Sequence, residues 1–210
     1  MFATVRADFR HYSRFCYGGA PVRFIWPYIL YAHPAAAGVA WYRLGAMAWR
    51  TRVPVARHFL LLVYAIGMPL VRMYSGIQIQ PQTKIGPGLA ILHFGAGVIT
   101  RECEIGENCL LYHNVSLVTM KSQRGPRIGK NFYAGTGTTV IGDVTIEDDV
   151  TCGAGSVVTR SVPRDAVVAG VPARILRLRE AGENNAENRT LRARPAAWMV
   201  VPTPRQEPPA

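Results

Sequence analysis

Acidic residues are scarce in this chain, and over one long stretch they are nearly missing. Against 24 Lys and Arg there are 13 Asp and Glu. Residues 1–75 hold nine arginines, no lysine and one acid, Asp8. A segment of this charge does not attract cationic partners. With Phe24, Trp26, Tyr28, Tyr31, Trp41, Tyr42 and Trp49 it suits an anionic membrane interface or an acidic polymer. Nucleic acid is disfavoured, because the basic residues are scattered among apolar ones and no nucleic-acid motif accompanies them. The four cysteines, Cys16, Cys103, Cys109 and Cys152, form no CxxC pair and no metal-type spacing. They read as packed, reduced thiols of a cytosolic protein.

Long uninterrupted apolar runs are also lacking. Phe24 to Tyr42 carries no formal charge but contains Pro27 and the His33-Pro34 step, and Phe59 to Val71 is short and contains Gly67 and Pro69. Neither reads as a membrane span, so buried helices of a cap are expected, with a surface-lying helix as the alternative. Arg6, Asp8, Arg10 and Arg14 interrupt any early apolar stretch, so no secretory leader is expected. The expected location is the cytoplasm, with peripheral contact at the inner membrane face through the basic, aromatic N-terminal region.

What the chain does have is a six-residue period. Aliphatic or small residues recur at Ile79, Ile85 and Ile91, slip by two to Ile105, Leu111 and Leu117, and resume after an insertion at Ile128, Ala134, Val140, Ile146, Cys152 and Val158. A hexapeptide parallel β-helix generates this register, because each short strand and turn sends one side chain inward. Glycines follow several inward positions, at Gly86, Gly106, Gly129 and Gly153, and are read as corner residues. The expected fold is mainly β: a parallel β-helix with an N-terminal α-helical cap and a flexible C-terminal tail. The organisation is 1–75 helical, 76–178 β-helix, and 179–210 a disordered tail rich in Glu, Asn, Arg, Ala and Pro.

Chemistry is expected where the register breaks, because material there leaves the cylinder. One break follows His93; the other is the polar, basic stretch from Thr119 to Arg127, with Lys121 and Arg124. His93 and His113 are each third in their hexads, so they lie one coil apart on one face. Stacked imidazoles beside a basic loop offer a general base and a hydrogen-bonding partner. A zinc site of the kind built from solenoid histidines needs three ligands, and His11, His33 and His58 lie in the cap, so no metal is expected.

The stretches Ile79-Gln80-Pro81-Gln82-Thr83-Lys84-Ile85-Gly86-Pro87-Gly88, Ile91-Leu92-His93, Cys152-Gly153-Ala154-Gly155-Ser156-Val157-Val158 and Ala169-Gly170-Val171-Pro172-Ala173-Arg174-Ile175 resemble the serine acetyltransferase branch of the left-handed β-helix acyltransferases. Ala40-Trp41-Tyr42-Arg43-Leu44-Gly45 is similar to a segment of that family's helical domain. The resemblance implies a homotrimer, or a dimer of trimers, with acetyl-CoA lying between adjacent solenoids and direct transfer to a hydroxyl. It places the catalytic base at His93 and CoA-binding positions at Thr136, Ala154, Gly155 and Ala169, with Arg174 and Arg164 near the phosphates.

The departures fall on the acceptor side. The acid that precedes the family's catalytic histidine is Leu92 here, the acid of its Asp-Ile-His-Pro segment is Gln78, and the histidine of its Arg-His-Pro loop is Gly125, although Arg124 is retained. A zwitterionic acceptor would lose its carboxylate partners. The pattern, with His113, is closer to relatives that O-acetylate exopolysaccharide or capsule sugars. The expectation is therefore transfer from acetyl-CoA to a saccharide hydroxyl, with His113, Arg124 and Lys121 shaping the acceptor site. Serine O-acetylation, acylation of an amino sugar, and a non-catalytic scaffold stand as alternatives.

Overall fold

A computed structural model of the chain describes residues 2–120 and 124–179. The expected tail, apart from Arg179, and the predicted acceptor residue Lys121 lie outside the described residues.

Four helices come first: α1 (Phe2–Tyr17), α2 (Val22–Ala32), α3 (Pro34–Arg50) and α4 (Pro54–Ser75). Pro34 and Pro54 open α3 and α4, where the missing amide proton has no intrahelical partner to lose. Gly76 ends α4 in the left-handed conformation and donates its N–H to the Arg72 carbonyl at 2.8 Å. It is doubly constrained, since a β-carbon there would come within 2.7 Å of the Gly95 carbonyl oxygen.

Two sequence expectations are corrected in this layer. Pro27 does not interrupt α2, and neither Gly67 nor Pro69 interrupts α4. Tertiary packing overrides propensity at Gly67: the indole of Trp41 sits where a side chain would project, 2.3 Å from an added β-carbon. Nor is α4 a buried helix. One side of it packs on α3, through Tyr64 stacked on Trp41, and its other side is exposed.

The remainder is built from short strands: β1 (Ile77–Ile79), β2 (Lys84–Ile85), β3 (Ala90–Ile91), β4 (Gly97–Ile99), β5 (Glu104–Ile105), β6 (Leu110–Leu111), β7 (Ser116–Val118), β8 (Arg127–Ile128), β9 (Tyr133–Ala134), β10 (Thr139–Ile141), β11 (Thr145–Ile146), β12 (Thr151–Cys152), β13 (Val157–Val158), β14 (Ala166–Gly170) and β15 (Ala173–Leu178). They form three sheets, ordered β1-β4-β7-β10-β13, β2-β5-β8-β11 and β3-β6-β9-β12-β14-β15. All pairings are parallel except β14 with β15, which closes the end of the coil as an antiparallel pair.

The inward register forms three columns: Ile79, Ile99, Leu117, Val140 and Val158; Ile85, Ile105, Ile128 and Ile146; and Ile91, Leu111, Ala134, Cys152 and Val168. All are buried. Ile99 is the member that the two-residue slip conceals in the sequence, and Gly95-Ala96 lies within the enlarged turn. The glycines Gly86, Gly106 and Gly129 act differently from expectation. Their φ angles are ordinary, but a β-carbon on Gly86 would meet Gly106 at 2.8 Å, and one on Gly106 would meet Gly129 at 2.6 Å. They let successive coils touch.

The helices are fastened to the first coil by buried polar contacts. Arg43 donates from Nε and Nη2 to the Asp8 carboxylate at 2.9 and 3.0 Å and to the carbonyls of Ile85 and Gly86. The same carboxylate accepts the N–H groups of Gly88 and Leu89. The Tyr12 hydroxyl donates to the carbonyl of Ile91 and accepts its N–H, and the Tyr42 hydroxyl donates to Thr83.

Candidate active site

The register places the predicted site residues on a common line. Ile91, Leu111, Ala134, Cys152 and Val168 are aligned partners across successive coils. Two residues on from each, the chain rounds the same corner, so His93, His113, Thr136, Ala154 and Gly170 are successive rungs. Rungs are spaced roughly 4.8 Å apart, which puts Ala154 roughly 14 Å from His93 along the corner. Gly155 donates its N–H to the Thr136 carbonyl at 2.8 Å, and Gly137 donates to the His113 carbonyl at 3.1 Å. Ala169 is beside Gly153, where an added β-carbon would come within 3.0 Å of the Ala169 methyl. Small residues therefore line the lower part of this corner and imidazoles the upper part.

His93 has φ of +67°, left-handed backbone that is uncommon for residues other than Gly and in which Asn, Asp and His are the enriched exceptions. The other left-handed non-glycine residues are Asn108, Asn114, Asn131, Asp149 and Asp165. At its own corner the next coil turns at Asn114, one residue past His113. In the coil whose turn is enlarged by Gly95-Ala96 the left-handed position falls on His93 itself, and His93 is exposed. The ring lies edge-on to His113, with centroids 5.7 Å apart, and 5.8 Å from Tyr112, which is itself 5.6 Å from Tyr133. Burial and then the neighbouring Tyr112 push the Tyr133 hydroxyl above its ordinary pKa. Nδ1 of His113 is buried without a hydrogen bond from the protein.

A third imidazole joins this group from the helical layer. His33, at the junction of α2 and α3, shares a 2.9 Å hydrogen bond between its Nε2 and the Tyr17 hydroxyl, and its ring is 5.5 Å from Tyr12. Burial, and then the charge of nearby His93, hold its pKa below the ordinary histidine value. Sequence reasoning assigned His33 to the cap and missed it. The signal was the His-Pro step, which ends one helix and begins the next beside the first coil.

Leu92 explains one departure physically. It is 2% exposed and packs with Phe9, Tyr12, Ile29, Ala36, Ala90 and Leu110 between helices and coil, a setting in which an ionised carboxylate would be strongly penalised. Gln78 accepts a 2.9 Å hydrogen bond from Arg72.

Three predicted residues are not brought to this corner within one chain. Arg124 precedes β8, and the adjacent Gly125 is packed against the Glu102–Cys103 backbone at a different corner. Arg164 is held by Asp148 at 2.9 Å, at the corner after the second sheet. Arg174 is exposed on β15 as the partner of Ala169, at the far end of the line. No cluster of metal-ligating side chains occurs among the described residues.

No family model matches the chain. It is 33% identical over 180 residues to a serine acetyltransferase of Synechococcus elongatus, covering 84% of this chain and 69% of that protein. It spans about half the length of the staphylococcal serine acetyltransferases it matches. Soybean serine acetyltransferase, solved with serine, superposes with a TM-score of 0.67 at 25% identity, covering 83% of this chain and 68% of that one. A serine acetyltransferase solved with CoA superposes with a TM-score of 0.69 at 21% identity, over 83% of this chain and 68% of its own. Those likenesses agree with the parallel β-helix read from the period and with the left-handed form that the resemblance implies. With the identity extending from the helical layer through the coils, the chain belongs to the serine acetyltransferase family and is an acyltransferase of the hexapeptide-repeat class.

Proposed function

We propose that the protein transfers the acetyl group of acetyl-CoA directly to the hydroxyl of serine. The observation that carries this reading is the single corner line, imidazoles above and small residues below, in a chain 33% identical to a serine acetyltransferase over 180 residues. His93 is the general base. One of its ring nitrogens takes the hydroxyl proton as the acceptor oxygen attacks the thioester carbonyl carbon. The tetrahedral intermediate collapses by breaking the C–S bond, and the imidazolium returns the proton to the departing CoA thiolate. His33, biased toward its neutral form, adds no opposing charge when His93 becomes imidazolium. Thr136, Ala154, Gly155 and Ala169 form the side of the donor groove that the pantetheine arm follows, and Arg174 meets the CoA phosphates. Arg124 reaches a His93 corner only from a neighbouring chain, so its part in acceptor binding goes with the homotrimer that the family resemblance implies.

A second reading has a specific observation in its favour. Positions 78, 92 and 125 hold Gln, Leu and Gly, and Leu92 is sealed in an apolar cluster, so no carboxylate stands there to grip an ammonium group. A saccharide hydroxyl needs none. Release of free CoA thiol, measured with serine and separately with nucleotide sugars and oligosaccharides, decides between them. Serine-dependent release supports serine; release with saccharides alone overturns it. Absence of release with every hydroxyl acceptor, from protein that binds CoA, would refute both.

A further inference from the structure

We infer that the helical layer docks on an anionic lipid bilayer through the outer face of α4, independently of which acceptor the enzyme uses. Val55, Phe59, Leu62, Ile66, Leu70 and Met73 recur at intervals of three and four, so they share one face of the helix. That face is uncovered: Phe59 is 64% exposed, Ile66 68% and Met73 76%. The stripe is about 27 Å long at 1.5 Å per residue. Soluble surfaces seldom carry an apolar strip of this extent without a partner. At the end of α4, the Tyr74 hydroxyl donates to the Leu30 carbonyl of α2, which exposes Phe24, Trp26, Tyr28 and Tyr31. Amphipathic rings of this kind settle at the headgroup level of a membrane.

The charge selects the partner. Asp8, the one acid of residues 1–75, is buried and paired with Arg43, leaving eight arginines and no carboxylate on that layer. Arg57 stacks on Trp49 with 4.8 Å to the ring centroid, and Arg23 stacks similarly on Phe24. A second copy of this surface would bring arginine to arginine, whereas acidic headgroups complement it. The helix is long and apolar enough to cross a membrane. Its inner side is nevertheless locked to α3, where an added β-carbon on Gly45 would lie 2.4 Å from the Tyr64 ring and one on Gly67 2.3 Å from Trp41. It therefore lies along the interface with one face in lipid.

The test is co-sedimentation of the full chain with vesicles of phosphatidylcholine alone and of phosphatidylcholine with phosphatidylglycerol. The expected result is partitioning onto the anionic vesicles, reduced about tenfold or more by Arg57→Glu with Arg72→Glu. Phe59→Gln with Ile66→Gln and Leu70→Gln should abolish it. These side chains are exposed, so circular dichroism and the thermal midpoint should be unchanged. Equal binding to both vesicle types overturns the anionic partner. No binding to either overturns the proposal, and a smaller solution mass for the apolar variant in that case makes this face the seat of a second copy.

Discussion

Replacing Arg43 by methionine should cut the tie between the helical layer and the coil. In the folded chain its guanidinium holds both Asp8 oxygens and the carbonyls of Ile85 and Gly86; the ion pair is buried, and the Gly86 carbonyl is partly so. Arg43→Met leaves a buried carboxylate with only the amides of Gly88 and Leu89, and strands the two carbonyls. Breaking one side of a buried pair costs about 3–5 kcal/mol. For a chain of this size each kcal/mol moves the midpoint by about 2–4 °C, so a fall of about 6–20 °C is expected in calorimetry. Burial already pushes the Asp8 carboxyl above its ordinary pKa, with Arg43 pulling the other way. Without Arg43 the folded state takes up a proton that the unfolded state releases. The deficit should therefore be smaller at pH 5 than at pH 8. The double replacement with Asp8→Leu should recover part of the loss, since it removes the stranded charge but not the stranded amides. A midpoint within about 3 °C of the parent for Arg43→Met alone would refute the argument.

His93→Asn should lower acetyl transfer by about 10²–10⁴-fold with little change in melting, because asparagine accepts the left-handed backbone that His93 occupies; near-parental CoA release would remove His93 from the role of base. Gly45→Ala should cost about 1–3 kcal/mol, since its methyl would meet the Tyr64 ring at 2.4 Å; urea denaturation measures it. The depressed pKa of His33 means the unfolded chain binds the proton more readily, so its neutral form supports the fold above about pH 6.5 and that support is lost on acidification. Melting curves from pH 8 to 5 should flatten in His33→Gln; an unchanged slope would contradict this. Burial raises the thiols of Cys109 and Cys152 to about 12, so neither should react with a disulfide reagent at pH 8 until the protein unfolds.

The coil was legible because its period is physical: every sixth side chain faces inward, and the three columns contain each repeat position named from sequence. Ile99 escaped because the bulge at Gly95-Ala96 hides its phase. His93 and His113 were legible as neighbours on one face, and the small residues below them fall on the same line. His33 was not legible, since nothing local marks a helix junction as facing a distant turn. Arg164 and Arg124 come from the family resemblance rather than the period, which fixes a residue's corner in one chain but not the groove that two chains would share. The saccharide acceptor inferred from Leu92, Gln78 and Gly125 is not supported by the relatives, which are serine acetyltransferases. The segment from Ala40 to Gly45 matched a family pattern without a visible reason. The structure gives one: Trp41 stacks, Tyr42 and Arg43 bind the coil, and Gly45 admits Tyr64.

The left-handed turn at His93 bears on how such a site can arise. Asn and Asp occupy the comparable turns elsewhere in the coil, and the codons of both differ from those of histidine by one base. A single nucleotide change can thus exchange a turn residue for an imidazole while the local backbone already tolerates the newcomer. Each rung of the solenoid is in that sense a vacant socket. The enlarged turn after His93 is where the left-handed position falls on the rung residue itself and not one residue later, so the loop length, inherited separately from the residue, decides which socket is put to use.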